Sequence, residues 1–200
     1  MEKISFALSF DYRCPFAGVL HRHVVTALRA GADFDVEFVP WTLNQNYRKE
    51  GDADVWDDPA LESHLISLAA GVSLRDQQPD IFLDAHEALF VARHENGVRL
   101  ANFDEIVDAL AACKIDVAQL EADLATRRPY EVIGESFRRF ENFEAFGVPT
   151  MVVDEDAVFI RYMDKPTDDA DASIELITSL YNTLTTRPSL NEYKFTRLSR

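Results

Sequence analysis

Ser9-Phe10-Asp11-Tyr12-Arg13-Cys14-Pro15-Phe16-Ala17 sets one cysteine at the junction of a strand and a helix. Before it, Lys3 to Phe10 is apolar and β-prone. After it, Val19, Leu20, His23, Val24, Ala27 and Leu28 fall on one side of a helix. Pro15 suits the first helical turn, where its missing N–H costs nothing. Cys14 is thereby placed at or beside the N-cap. Unpaired backbone N–H groups and the positive end of the helix dipole then point at its sulfur. The expectation is a thiol with a pKa below the free value of about 8.5.

A second signal lies far down the chain, in Phe146-Gly147-Val148-Pro149-Thr150-Met151-Val152-Val153. A proline stands just before an apolar strand, a place where it need not donate a ladder hydrogen bond. Asp154-Glu155-Asp156 makes a turn and Ala157 to Tyr162 a second strand, so the segment reads as a β-hairpin.

Two hundred residues suit one domain, or one domain with a sizeable insertion, and a 47% hydrophobic fraction allows a substantial core. The net charge of -15 argues against nucleic acid or an anionic membrane as partner. No apolar run approaches the roughly 20 residues of a membrane helix. Strand-like sequence begins close to Met1, with no basic region, apolar segment and cleavage site before it. Two cysteines fit a reducing compartment. The expected location is the cytoplasm.

Residues 3–10 read as the first strand and 15–30 as the first helix, closed by Gly31. Phe34 to Val39 alternates as a second strand, parallel to the first because a helix crosses over between them. Helices are expected over Pro59–Ala70, ended by Gly71, and over Asp80–His94. A third starts at Asn102 or Asp104, with Ile106, Val107, Leu110 and Cys113 on one face. A long helical stretch from about Val117 to Ala145 is broken at Pro129. After the hairpin, Asp171–Leu184 is an amphipathic helix. The order is β-α-β, a helical block, then β-β-α. With the Cys14-Pro15 helix start and the Val148-Pro149-Thr150 loop, this order resembles the thioredoxin fold, and the resemblance implies an α/β class: a thioredoxin-like core over 1–43 and 146–184, a helical insertion and connecting helix over 44–145, and a C-terminal tail over 185–200.

Three stretches make the resemblance specific. They are Asp11-Tyr12-Arg13-Cys14-Pro15-Phe16, then Val39-Pro40-Trp41-Thr42-Leu43-Asn44, then Gly147-Val148-Pro149-Thr150 continuing into Met163-Asp164-Lys165-Pro166. Together they resemble the DsbA family of thiol–disulfide proteins. The related kappa-class glutathione transferases and 2-hydroxychromene-2-carboxylate isomerases are similar too. The resemblance implies a cis Val148–Pro149 bond facing Cys14, although an arbitrary X–Pro bond is cis only about 5–6% of the time. It also implies that Thr150 and the Val148 backbone hold a substrate chain by strand-like hydrogen bonds. One departure is decisive. DsbA-type oxidants carry Cys-Pro-x-Cys, and here the fourth position is Ala17. The isomerase and kappa-transferase branches usually place serine where this chain has Cys14.

The expected catalytic residue is therefore Cys14, acting without a resolving cysteine in its motif. Pro15, Phe16, Trp41, Asn44, Val148, Pro149 and Thr150 are expected to bind the substrate or thiol. Trp41 is placed near the seam between core and insertion, where ligand clefts concentrate. Asp11, Arg13 and Lys165 are ambiguous. Asp11 caps a turn or sits near the thiol; Arg13 faces solvent, lowers the thiol pKa or holds a carboxylate. Cys113 reads as a core position. The five histidines show no ligand spacing, and His21 and His23 lie on different faces of their helix, so no metal is expected. No glycine-rich phosphate loop is present, so no nucleotide is expected. The expected co-substrate is a low-molecular-weight thiol of the glutathione or mycothiol type, with a small-molecule thiol or disulfide as substrate; a homodimer is compatible with this. The expected activity is that of a DsbA-like oxidoreductase working through a single thiol. Alternatives are a thiol-dependent transferase or isomerase, and a non-catalytic thioredoxin-like binding module.

Overall fold

The computed structural model describes residues 3–165, 169–192 and 194. Strand β1 (Ile4–Phe10) is followed by α1 (Pro15–Arg29) and β2 (Phe34–Pro40). The inserted helices are α2 (Glu62–Gln77), α3 (Phe82–His94), α4 (Phe103–Ala109) and α5 (Val117–Ala125), and α6 (Arg128–Glu141) leads back to the sheet. Strands β3 (Thr150–Val153) and β4 (Asp156–Phe159) form the hairpin, and α7 (Ala170–Thr186) closes the fold. The sheet order is β2-β1-β3-β4. β1 runs parallel to β2, with Ile4 opposite Phe34 and Phe10 opposite Pro40. β3 runs antiparallel to both β1 and β4.

Local chemistry accounts for the helix ends. Gly31, at φ +84°, follows the last turn of α1 in a backbone conformation that favours glycine. Asn102 accepts from Glu105 N–H to start α4, and Asp116 accepts from Gln119 N–H to start α5. Pro129 sits in the first turn of α6, so the break expected there separates α5 from α6.

Two elements differ from expectation. Gly71 does not end its helix: α2 runs on to Gln77. An interior glycine costs about 1 kcal/mol of helix propensity. Here its bare Cα makes room for Tyr12, whose Oη would stand 2.6 Å from a Cβ at position 71. Cys113 is not on a helix face either. It lies in the turn beyond α4, its N–H bonded to Leu110 O, half-buried against the core.

One hydrophobic core joins sheet and insertion. α7 packs on α1, β3 and β4, while α6 packs on β2 and α2. Phe6, Leu8 and Phe10 of β1, Leu65 and Leu68 of α2, and Leu89 and Phe90 of α3 are buried in it. Among the described residues no helix is long and apolar enough to cross a membrane.

Candidate active site around Cys14

Cys14 is the N-cap of α1, in extended conformation, with Pro15 opening the helix. Its N–H donates to Asp11 O at 2.9 Å, and its carbonyl accepts from Gly18 N–H at 3.0 Å. The Val148–Pro149 peptide bond is cis. That loop brings the Val148 carbonyl to the thiol, which donates to it at 3.1 Å. Residues 134 positions apart in sequence thus meet at the sulfur.

The thiol is not poised as its place in sequence suggests. Burial is the largest influence and raises its pKa above the ordinary 9.0. The N–H groups of Ala17 and Phe16 pull it down, the Asp11 charge pushes it up, and Arg161 pulls it down. The helix-end effect is present, as expected. Loss of hydration at a half-buried sulfur outweighs it.

Asp11 is buried and its carboxyl pKa is raised from 3.8 to about 6, chiefly by desolvation. Its Oδ1 accepts from Arg13 N–H at 2.9 Å, which is the turn cap foreseen for it. A hydrogen bond with the Thr42 side chain and the charges of Arg13 and Arg93 hold the carboxylate only partly. Asn44 reaches this group indirectly, its N–H donating to Thr42 Oγ1 at 3.3 Å.

The other expected site residues separate into two sets. Pro15 is exposed, Phe16 is half-buried, Val148 meets Cys14 through its carbonyl, and Pro149 follows it across the cis bond. The Pro149 carbonyl accepts from Ile160 N–H at 3.0 Å. Arg13, next to Cys14 in the chain, is exposed; Lys165 is exposed, and Pro166 lies outside the described residues. Trp41 is a correction. It is 0% exposed and stacks on Phe137 at 5.3 Å, so it is a core residue and not a pocket wall. Packing against α6 took the ring that the seam position had suggested for a ligand. Thr150 is also corrected. Its N–H donates to Ser9 Oγ at 2.7 Å and its hydroxyl to Gly147 O at 2.8 Å, so both donors serve the fold. A groove of about 380 Å³ lies between Trp56 and Tyr130 and includes no residue of the Cys14 site.

Three of the five histidines, His21, His86 and His94, come together in space. Tyr12 Oη donates to His86 Nδ1 at 2.8 Å, His86 Nε2 donates to His21 Nδ1 at 3.0 Å, and His21 Nε2 donates to Ser9 O at 2.9 Å. The direction follows from chemistry, because the Ser9 carbonyl only accepts; each ring then carries its proton on Nε2 and stays neutral. Burial agrees, lowering His21 to about 4 and His86 well below its usual value. Ser9 links this chain to the site, since its hydroxyl holds Thr150 next to Pro149. His94 adds a bond from Nε2 to Tyr12 O at 2.8 Å. Nothing in the local sequence spacing marks this cluster: His86 lies 65 residues from His21 and 74 from Tyr12.

Both cysteines are free. Cys14 stands at the start of α1, whereas Cys113 feels the charges of Asp84 and Arg29, and Arg29 is the last residue of the same helix. A helix of 15 residues spans about 22 Å, far beyond the roughly 7 Å a disulfide allows between Cα atoms.

The family model of the DSBA-like thioredoxin domain matches residues 7–165. No curated protein matches the chain. Among solved structures, DsbA of Pseudomonas aeruginosa superposes with a TM-score of 0.59 at 18% identity, over 96% of this chain and 88% of that one. MdbA, a thiol-disulfide oxidoreductase from Actinomyces oris, gives 0.58 at 18% identity over 91% and 80%. BdbD from Bacillus subtilis gives 0.58 at 16% identity over 89% and 87%. At these identities the likeness is one of fold.

Proposed function

Because the chain belongs to the DSBA-like thioredoxin-domain family, we propose that it is a thiol–disulfide oxidoreductase that works through Cys14 alone, with a low-molecular-weight thiol as co-substrate. The observation that carries this reading is the pairing of Cys14 Sγ with the Val148 carbonyl while Ala17 stands where a second motif cysteine would be. A reactive-cysteine scaffold is kept and the internal resolving step is missing. Cys113, near the far end of α1, does not replace it.

The chemistry runs in two exchanges. The Cys14 thiolate attacks one sulfur of a small disulfide, the S–S bond breaks, and one half leaves as a thiolate that takes a proton from water. Cys14 is oxidised to a mixed disulfide and the leaving half is reduced. A second small thiolate then attacks the partner's sulfur, forming a new small disulfide and returning Cys14 as thiolate. Deprotonation has a further effect. The Val148 carbonyl accepts the thiol proton in the resting protein and loses that donor once the thiolate forms. It then becomes an acceptor for a substrate N–H or O–H beside the reacting sulfur. This is the role left to the Val148 backbone after Thr150 is committed to Ser9 and Gly147.

The test is the mass of the protein after reaction with a small symmetric disulfide. One added thiol unit on Cys14, absent in Cys14→Ser, is the expected product. Loss of two hydrogens in monomeric protein would refute the single-thiol mechanism. If Cys14→Ser kept turnover of a thiol conjugate, the transferase or isomerase reading of this site would take its place.

A further inference from the structure

The arginines are distributed unevenly around this acidic molecule. Eight of those in the described residues pair with carboxylates: Arg22 and Arg29 on α1, Arg48, Arg75 on α2, and Arg127, Arg128, Arg138 and Arg139 around α6. Among the described residues Arg13, Arg93, Arg99, Arg161 and Arg187 have no such partner. Two of these five, Arg13 and Arg161, adjoin the Cys14 site. Arg13 precedes the cysteine in the chain, and its own N–H is fixed by Asp11. Arg161 follows Ile160, which is bonded to the Pro149 carbonyl, and its guanidinium lies 4.4 Å from the centroid of the Phe16 ring. It thus reaches from the Pro149 loop to the first turn of α1, with Cys14 between these two elements. Arg99 and Arg13 both act on His64, and Arg93 acts on Asp11.

Resting on the single-thiol reading above, we infer that the co-substrate of Cys14 is a small thiol or disulfide bearing carboxylate groups, bound by Arg13 and Arg161. A guanidinium that forms no ion pair with a carboxylate among the described residues offers its forked donors to a carboxylate of the ligand. Attack of a thiolate on an anionic disulfide also brings like charges together, and two flanking cations offset that repulsion. The size of the ligand follows from the net charge of -15. A large acidic partner would meet the field of the whole molecule. A small anion seated within about 8 Å of the guanidiniums, one screening length, is governed by them instead.

Three small disulfides of similar length and different charge test this: 3,3′-dithiodipropionate (anionic), 2-hydroxyethyl disulfide (neutral) and cystamine (cationic). The readout is the rate of mixed-disulfide formation on Cys14 in Cys113→Ser protein. The expected order is anionic, then neutral, then cationic, with the first at least about tenfold faster than the last. Arg13→Gln and Arg161→Gln should each reduce that ratio, and Arg187→Gln at the end of α7 should not. Cystamine reacting fastest, as the net charge alone would dictate, overturns the inference and leaves the single-thiol reading standing. A ratio insensitive to both arginine substitutions overturns it as well. No adduct with any of the three overturns both readings.

Discussion

Asp11→Asn isolates the electrostatic consequence of burying a carboxyl group beside the thiol. The Asp11 pKa is raised from 3.8 to about 6 in the folded chain, mainly by desolvation. A raised folded value means that the native state binds a proton more readily than the unfolded chain. Its contribution to stability is fully present below about 3.8 and is lost as the pH rises through about 6. The gap between the two values corresponds to about 3 kcal/mol, of which about 2 kcal/mol falls between about pH 4.5 and about pH 8. Asparagine keeps the acceptor for Arg13 N–H and removes the charge. The variant should therefore gain about 2 kcal/mol on the wild type in going from the acidic to the alkaline condition. His21 acts in the opposite sense. Held at about 4, below its ordinary 6.5, it loses stability as the pH falls from about 6.5 through about 4. His86 acts in the same direction as His21. Both are common to the two proteins and cancel in the difference. Urea unfolding of wild type and Asp11→Asn at both pH values gives that difference directly. A difference constant with pH, or one changing in the wild type's favour at alkaline pH, would refute a desolvated Asp11.

Alkylation of Cys14 by iodoacetamide in Cys113→Ser protein should show a midpoint above 9.0, and Asp11→Asn should lower it by removing a like charge; a midpoint in the neutral range would refute the burial argument. Gly71→Ala should destabilise by about 1–3 kcal/mol despite better helix propensity, because the new Cβ overlaps Tyr12; a stabilised variant in urea unfolding would show that Tyr12 moves freely. Ser9→Ala should cost about 1–3 kcal/mol by leaving Thr150 N–H without its acceptor, and should slow adduct formation on Cys14; unchanged stability and rate would disconnect Ser9 from the site.

The fold was legible where local chemistry and periodicity agree. The alternation of Phe34 to Val39, the proline opening α1 and the helix start at Asn102 or Asp104 each express one element, and the structure has them, with Asn102 as the cap. The meeting of Cys14 with the Val148–Pro149 loop was legible only through the resemblance, since no local rule relates positions so far apart. Errors arose where tertiary packing overrode a local signal. Gly71 reads as a helix stop unless one knows that Tyr12 rests on it. Trp41 sits at a seam in the chain order, but Phe137 covers it. The helix dipole at Cys14 is visible in sequence, whereas the burial that outweighs it is not. His21 and His86 are each unremarkable on an apolar helix face, and only folding brings them to 3.0 Å.

The chain from Tyr12 through His86 and His21 to Ser9 bears on how this architecture can vary. His86 belongs to an inserted helix, while Tyr12, His21 and Ser9 belong to the segment that carries the thiol. The seam between core and insertion therefore holds a polar joint built from groups on both sides of it. Removing the insertion, or exchanging it for an unrelated helical segment, would leave His21 Nδ1 and the Tyr12 hydroxyl without their partner in the core. The insertion is not a detachable cassette. A workable transplant would have to bring a residue equivalent to His86 and a bare backbone position equivalent to Gly71. Loops at the rim, which carry none of these obligations, are the parts of the molecule free to diverge.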